Sequence, residues 1–239
     1  MISRPKLSQR LLCAASFVRD GSFIADIGTD HAYIPIDLMM RGKIRGAVAS
    51  DINKGPLERA SANLHRFGIS EGITLNLSNG LEGIEQFCPD DILILGMGGE
   101  LITEILASAP FTKNNKIRLI LQPMTHPEKI REFLSKNMFG IVHEEIVIED
   151  KIYQIIVASF CGKSEDLTPI ELICGKQNIA RLDKKLLALL SHHRSVLEAR
   201  RSARSASESN YENEEESALL SEINDLINKI EKGNGSNDC

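Results

Sequence analysis

Long apolar runs are absent from this sequence of 239 residues. A membrane-spanning helix needs about 18 or more consecutive apolar residues, and no such run occurs. The N-terminus also lacks the apolar core of a signal peptide, so we expect a cytoplasmic protein without membrane association. The hydrophobic content of 42% is that of a soluble globular protein.

Cysteine is scarce and shows no pairing pattern. The five cysteines are odd in number and lie far apart, without a Cys-x-x-Cys spacing. They are Cys13, Cys88, Cys161, Cys174 and Cys239. We interpret them as free thiols, which excludes both a disulfide framework and a cysteine-based metal site.

The phosphate-binding pattern Gly-x-Gly-x-x-Gly is also missing. Residues 24–33 begin as an apolar run, break at Gly28 and lead into a helical segment, which predicts a strand, a tight turn and a helix N-terminus. Asp30 and Ala32 stand where the later glycines would fall. Together with Asp26, the turn carries two carboxylates, which would repel a pyrophosphate and suit a cationic ligand such as S-adenosylmethionine (SAM). An ordinary strand-to-helix turn is the alternative.

Two further strand ends carry polar residues. Residues 47–51 form a second predicted strand, and Asp51 follows Gly28 by 23 positions, where an acid binds the ribose hydroxyls of an adenosine cofactor. Asn79 follows the third predicted strand and is placed to hydrogen-bond an adenine ring. The alternatives are a strand-end acid or helix cap at Asp51 and simple turn chemistry at Asn79.

A fourth predicted strand, at residues 91–95, is almost entirely apolar, as expected of a central parallel strand. Gly96-Met97-Gly98-Gly99 follows it and would let a substrate or cofactor approach the main chain closely. Amino-directed adenine and cytosine methyltransferases commonly carry Asn/Asp-Pro-Pro-aromatic here. Its absence disfavours an exocyclic amine as the methyl acceptor.

The remaining pattern predicts the fold class. A fifth strand ends at Gln122-Pro123, and residues 125–128 resemble a capping box before another helix. Alternating residues at 141–148 and 152–160 predict an antiparallel edge hairpin. Five strand-helix units and a hairpin give a seven-stranded mixed sheet, the Rossmann-like architecture of class I SAM-dependent methyltransferases.

The chain changes character after Gly162, so we predict a methyltransferase domain at 1–162 and a second domain at 163–239. Thr168-Pro169-Ile170-Glu171 is a capping box that starts a helical region, which Gly175 interrupts. Two apolar stripes separated by a polar segment at 202–213 predict an antiparallel helical hairpin, or coiled coil.

Charge is segregated within this second domain. The net charge of the chain is −5, which by itself argues against binding to nucleic acid. Residues 176–204, however, hold a strong excess of bases, and residues 205–232 hold a matching excess of acids. The bases could dock nucleic-acid phosphates or could pair with the acidic helix.

Six segments together resemble the TrmK family of bacterial tRNA (adenine-N1)-methyltransferases, which act on adenosine 22 of the D-loop. They are Leu7-Ser8-Gln9-Arg10-Leu11, Ala25-Asp26-Ile27-Gly28-Thr29-Asp30-His31-Ala32-Tyr33-Ile34-Pro35, Gly55-Pro56, Asn79-Gly80-Leu81, Gly96-Met97-Gly98-Gly99 and Leu121-Gln122-Pro123. The resemblance covers the whole chain, a catalytic domain followed by a coiled coil. One departure is Ser50-Asp51-Ile52-Asn53, where the family has Gly-Glu-Val, and Asp51 retains the ribose carboxylate.

The resemblance implies SAM as cofactor, tRNA as partner and no metal, and leaves protein partners open. The catalytic residues expected are Asp30, His31 and Tyr33. The cofactor-binding residues expected are Arg10, Asp26, Gly28, Asp51, Ile52, Asn79, Gly80, Gly96 and Met97. The RNA-binding residues expected are Arg194, Arg200, Arg201 and Arg204.

The chemistry of the acceptor defines what these residues would do. Adenine N1 has a free lone pair and attacks the methyl group without a general base, so the enzyme supplies orientation and tolerates the developing positive charge. Asp30 would supply that environment and Tyr33 would stack on a base swung out of the tRNA. A SAM-binding regulator without catalysis and a nucleotide-dependent oxidoreductase are the alternatives.

Overall fold

The computed structural model describes residues 3–206 and 214–234, including all their side chains except those of 204–206 and 234. Within these residues the contacts divide the chain into two units. The first comprises the residues up to Glu149 together with Tyr153–Glu165. The second comprises Asp150–Ile152 and the residues from Asp166 onward.

The strands are β1 (Ser22–Ile27), β2 (Ile44–Asp51), β3 (Ile73–Leu77), β4 (Asp91–Gly98), β5 (Arg118–Thr125), β6 (Phe139–Ile148) and β7 (Ile152–Phe160). The α-helices are α1 (Gln9–Ser16), α2 (Tyr33–Met40), α3 (Lys54–Arg66), α4 (Gly99–Ala107), α5 (Pro127–Lys136), α6 (Pro169–Cys174), α7 (Lys176–Arg181), α8 (Lys184–Ala206) and α9 (Glu214–Asn234). Short 3-10 helices occupy Ile84–Phe87 and Pro110–Thr112.

The seven strands form one sheet in the order β3-β2-β1-β4-β5-β7-β6. The first five of these are parallel to their neighbours, and β7 runs antiparallel to β5. The predicted seven-stranded mixed sheet is confirmed. The order of strands reverses between β1 and β4, and open α/β sheets bind their ligands at the carboxyl ends of the strands beside such a switch point.

Strand β4 shows why the sheet is stable. Its first four residues are buried, and successive side chains of a strand point to opposite faces. Ile92 and Ile94 therefore pack in the core on one face, whereas Leu93 packs in the core on the other. Full burial of each such side chain contributes about 1.5–3 kcal/mol. The buried strand holds the carboxyl edge of the sheet in place.

Two local predictions near that edge were wrong. Thr125 does not begin a capping box, because it is the last residue of β5 and pairs with Gly98. The N-cap of α5 is instead His126, in a left-handed conformation with φ of +55° and without a capping hydrogen bond from its side chain. In addition, β4 does not end at Leu95 but continues through Gly98, with two register irregularities after Leu95.

The capping box that begins the C-terminal helices is confirmed. The Thr168 hydroxyl accepts a hydrogen bond from the amide of Glu171, and the Glu171 carboxylate accepts one from the amide of Thr168. Gly175, with φ of +88°, separates α6 from α7 as predicted. The capping box marks the start of this helical region, and Gly175 marks the first break in it.

Helices α8 and α9 pack against each other in the second unit. Leu186, Leu189 and Leu190 are buried on α8. On α9 the buried residues Ile223, Ile227 and Ile230 recur every three or four positions and form one apolar stripe. The predicted loop at 202–213 starts too early, because α8 extends to Ala206; residues 207–213 lie outside the described part. No helix in the described ranges is long and apolar enough to cross a membrane.

Candidate functional site

The turn after β1 is joined to β2 by main-chain hydrogen bonds. The amides of Gly28 and Thr29 both donate to the carbonyl oxygen of Ser50, at 2.8 and 2.9 Å. Gly28 has a φ of +74°, a conformation that costs a residue with a side chain about 1–2 kcal/mol. The Thr29 hydroxyl accepts a hydrogen bond from the amide of Ala32 over 3.1 Å. This bonding fixes the start of α2 relative to the ends of two strands.

Asp26, predicted as a cofactor-binding residue, is a buried acid at the carboxyl end of β1, with 7% of its surface exposed. Burial raises the pKa of its carboxyl group to about 6, and a hydrogen bond with the Thr29 side chain partly opposes the rise. Because burial disfavours the ionised form of this side chain, Asp26 is a candidate for binding a cationic ligand.

The three residues predicted to be catalytic lie together. Nε2 of His31 is 3.1 Å from Oδ2 of Asp30, and the His31 ring stacks on Tyr33 with centroids 4.9 Å apart and planes at 15°. Sequence reasoning missed two residues of α3 that hold this group. Arg59 donates to Asp30 from both Nε and an Nη atom, and Asn63 donates to the main-chain carbonyl of His31 at 3.1 Å.

Asp51 is the last residue of β2, as predicted, and Ile52 follows it. The half-buried Asp51 accepts a hydrogen bond at one carboxylate oxygen from the amide of Asn53, at 2.7 Å. Ile52 is a large apolar side chain that is 60% exposed. An exposed apolar residue beside a carboxylate is suited to contact an adenosine group.

A pocket of about 410 Å³ opens next to these residues. Its lining comprises Ile52, Asn76, Leu77, Ser78, Asn79, Glu82 and Gln86. The predicted residues Ile52 and Asn79 therefore share one pocket, whereas Glu82 and Gln86 were missed. At Gly80, with φ of +56°, a Cβ atom would lie 3.1 Å from Ile105 of α4.

Gly96 and Met97 lie across the switch point from Gly28. Gly96 is exposed, with φ of +76°. The side chain of Met97 reaches the β1 turn: a Cβ atom on Gly28 would lie only 2.0 Å from Cε of Met97. The turn after β1 is therefore in contact with the end of β4, and both predicted cofactor positions belong to one surface.

Arg10 of α1 lies at the same edge. It donates a hydrogen bond of 2.6 Å to the buried side chain of Gln122 in β5, and its guanidinium lies 5.4 Å from the ring centroid of Tyr153. A Cβ atom at Gly96 would be 3.9 Å from Nη1 of Arg10. Gln122 was noted in the sequence only as a strand end, and its bond to Arg10 was missed.

The start of α4 is packed directly on the turn before α5. A Cβ atom at Gly99 would lie 2.2 Å from the carbonyl oxygen of His126 and 2.8 Å from that of Thr125. Only glycine permits this approach of two main chains. His126 is exposed, and its Nδ1 lies 2.9 Å from Oε1 of Glu128.

The residues predicted to bind RNA belong to α8 in the second unit. We call them the α8 arginines: Arg194, Arg200, Arg201 and Arg204. Arg194 is half-buried, and the next two are exposed, whereas the side chain of Arg204 lies outside the described part. Arg200 lines a groove with three acids of α9, Glu215, Glu216 and Glu222. The described side chains include no group of three or more His, Cys, Asp or Glu that could hold a metal ion.

Known methyltransferases are similar to this chain over most of its length. Residues 7–156 match the family model described as a methyltransferase domain. The tRNA (adenine(22)-N(1))-methyltransferase of Bacillus subtilis is 36% identical over 81% of this chain and 85% of its own. The crystal structure of Sp1610 from Streptococcus pneumoniae, in complex with S-adenosyl-L-methionine, has a TM-score of 0.82 at 31% identity and covers 93% of this chain and 100% of its own.

A further solved structure, TrmK of M. capricolum with S-adenosyl-homocysteine, has a TM-score of 0.74 at 31% identity and covers 95% of this chain and 96% of its own. The likeness therefore extends across both units. With a family model over more than half of the chain and a curated relative above 30% identity, the chain belongs to the TrmK family of methyltransferases.

Proposed function

We propose that this protein transfers a methyl group from SAM to N1 of adenosine 22 in the D-loop of tRNA. The observation that carries the proposal is the continuous surface at the switch point, where the β1 turn bonds to Ser50 of β2 and touches Met97 of β4. The name of the B. subtilis relative supplies the acceptor, and the complexes of two structural neighbours supply the cofactor.

The residues at this edge fit SAM in charge and shape. Asp51 would hold the ribose, and the pocket containing Ile52 and Asn79 would hold the adenine between apolar and amide groups. The buried Asp26 carboxylate suits an ammonium group, and the open main chain at Gly28 and Gly96 allows close approach. Arg10 would face the carboxylate of the cofactor.

When bound, SAM supplies an electrophilic methyl group on a sulfonium. The acceptor nitrogen needs no general base, so the chain's own residues orient the base and stabilise its positive charge. Asp30 would serve that purpose, and the stacked rings of His31 and Tyr33 would offer an aromatic surface for the base. The base has to leave the stack of the tRNA to expose its N1 edge.

The tRNA is much larger than this crevice, so contacts away from it are needed for docking. We infer that the helical unit from residue 163 onward acts as a docking arm through the α8 arginines. The exposure of Arg200 and Arg201 supports this role. The shared groove of Arg200 with Glu215 and Glu222 supports the alternative, internal charge pairing. A tRNA substrate also favours a cytoplasmic location.

The test uses labelled SAM and two tRNA transcripts, one with adenosine and one with guanosine at position 22. Nucleoside mass spectrometry should show 1-methyladenosine only in the first. SAM binding without methylation of either transcript would favour the regulator. Binding of NAD with a change in nicotinamide absorbance would favour the oxidoreductase.

A further inference from the structure

Helix α3 holds the loop between β1 and α2 at two points. Arg59 and Asn63 are four residues apart and therefore lie on the same face of the helix. Nε of Arg59 donates to Oδ1 of Asp30 at 3.0 Å, and an Nη atom donates to the same oxygen. Asn63 holds the carbonyl oxygen of His31. One helix face therefore fixes both a side chain and the peptide next to it.

The contacts continue from Asp30 to the aromatic pair. Because Arg59 occupies Oδ1, the other carboxylate oxygen, Oδ2, faces His31 at 3.1 Å. His31 in turn stacks on Tyr33. The four side chains form a row in which the guanidinium sets the carboxylate, the carboxylate sets the imidazole, and the imidazole lies parallel to the phenol ring.

The ion pair between Arg59 and Asp30 adds too little to the stability of the fold to explain the contact. The side chains of Arg59 and Asp30 are 51% and 59% exposed, and an exposed ion pair contributes little to folding because water screens it. Two guanidinium nitrogens bonded to Oδ1 do, however, fix the position of that oxygen more closely than a single bond would. The value of the contact therefore lies in the orientation of Asp30.

We propose that Arg59 is a positioning residue for methyl transfer, which acts by orienting Asp30 and, through it, the stacked rings of His31 and Tyr33. The inference rests on the proposed function, since it assigns Arg59 a part in tRNA methylation. Arg59 itself need not touch the base or the cofactor.

The test compares Arg59→Gln, Arg59→Lys and the control Arg66→Gln in the full chain. Arg66 is an exposed arginine on the same helix, and its guanidinium lies over the ring of Phe67, 5.4 Å from the centroid. Arg59→Gln should lower kcat about 2- to 5-fold at saturating SAM and tRNA, since an exposed ion pair is worth at most about fivefold. The KM for SAM should stay within about twofold. Arg59→Lys keeps the charge without the fork and should recover part of kcat.

A second readout does not depend on catalysis. The ring protons of His31 sense the Tyr33 ring, so their NMR shifts report the stacking. Arg59→Gln and Asp30→Asn should move these shifts in the same direction, and Arg66→Gln should leave them in place.

An unchanged kcat in Arg59→Gln would overturn the proposal. If the KM for tRNA also rose and the salt dependence of tRNA binding weakened, Arg59 would be a phosphate contact. If the wild-type protein methylates no tRNA, the proposed function fails. The NMR arm then still decides whether Arg59 orients the row, because unmoved His31 shifts would refute that part alone.

Discussion

Replacing Asp26 by asparagine should stabilise the free protein at neutral pH and weaken its binding of SAM. Burial raises the pKa of the carboxyl group from its ordinary value of 3.8 to about 6, against a hydrogen bond with Thr29 that lowers it. The folded state therefore holds the proton more tightly than the unfolded state. As the pH rises from about 4 to 6, the folded state loses stability, and above pH 6 the cost is constant at roughly 3 kcal/mol.

Asparagine has nearly the same shape, can still accept a bond from Thr29 and does not ionise. We expect Asp26→Asn to raise the free energy of unfolding by about 1–3 kcal/mol at pH 7, the lower figure allowing for an imperfectly paired amide. The gain should shrink as the pH falls from 6 towards 4 and vanish below about pH 4, because the unfolded state then becomes protonated as well. Urea denaturation at pH 7, 5.5 and 4.5 measures the difference.

Binding should change in the opposite direction. Loss of a charge-assisted contact should weaken SAM by about tenfold or more in titration calorimetry at pH 7. The wild-type affinity should also fall as the pH drops through about 6, where Asp26 becomes protonated, whereas the variant should show no such step. The exposed acid Asp20 precedes the same strand, and Asp20→Asn is the matched control.

The reasoning would be refuted if Asp26→Asn lowered the free energy of unfolding equally at pH 7 and pH 4.5. Asp26 would then serve as a neutral hydrogen-bonding partner within the turn. A variant that gained stability and kept full SAM affinity would retain the electrostatic explanation and remove Asp26 from the cofactor site.

Three other perturbations test separate parts of the site. Asp51→Ala should weaken SAM by about 1–3 kcal/mol in calorimetry, and unchanged affinity would remove Asp51 from the site. Gly28→Ala should cost about 1–2 kcal/mol in thermal unfolding because of its φ of +74°; if Met97→Ala restored the loss completely, the contact with Met97 and not the backbone would be responsible. Changing all four α8 arginines to glutamine should weaken tRNA binding and flatten its salt dependence, with SAM affinity unchanged. A salt slope equal to that of the wild type would favour charge pairing within the arm.

The order of strands and helices was predictable because it depends on local periodicity. The apolar run of β4, the alternation of β6 and β7 and the capping box at Thr168 all report structure within a few residues. The errors at the carboxyl edge of the sheet arose where pairing between strands that are distant in sequence decides where a strand ends. Thr125 is drawn into β5 by pairing with Gly98, and no short window of sequence contains that partner.

In the candidate site, too, local features were predictable from the sequence and contacts between distant residues were not. The positions of Asp51 and Asn79 were predictable because strand ends are visible in sequence, and the structure has Asp51 as the last residue of β2 and Asn79 just after β3. Arg59 was missed because its partner Asp30 is 29 residues away, and an arginine on an exposed helix face is ordinary. The one available signal was that Arg59 and Asn63 are four residues apart and so share a helix face. This spacing indicates a contact only when the position of the loop between β1 and α2 is known.

The bond between Arg10 and Gln122 has a consequence for how the chain is made. These residues are 112 positions apart, so a ribosome adding about 5–20 residues per second needs roughly 6–20 s to supply the partner of α1. During that time the first helix to be synthesised lacks the strand that it docks against. A nascent chain stopped before β5 therefore lacks the partner of Arg10, and we expect competence to bind SAM to appear late in synthesis.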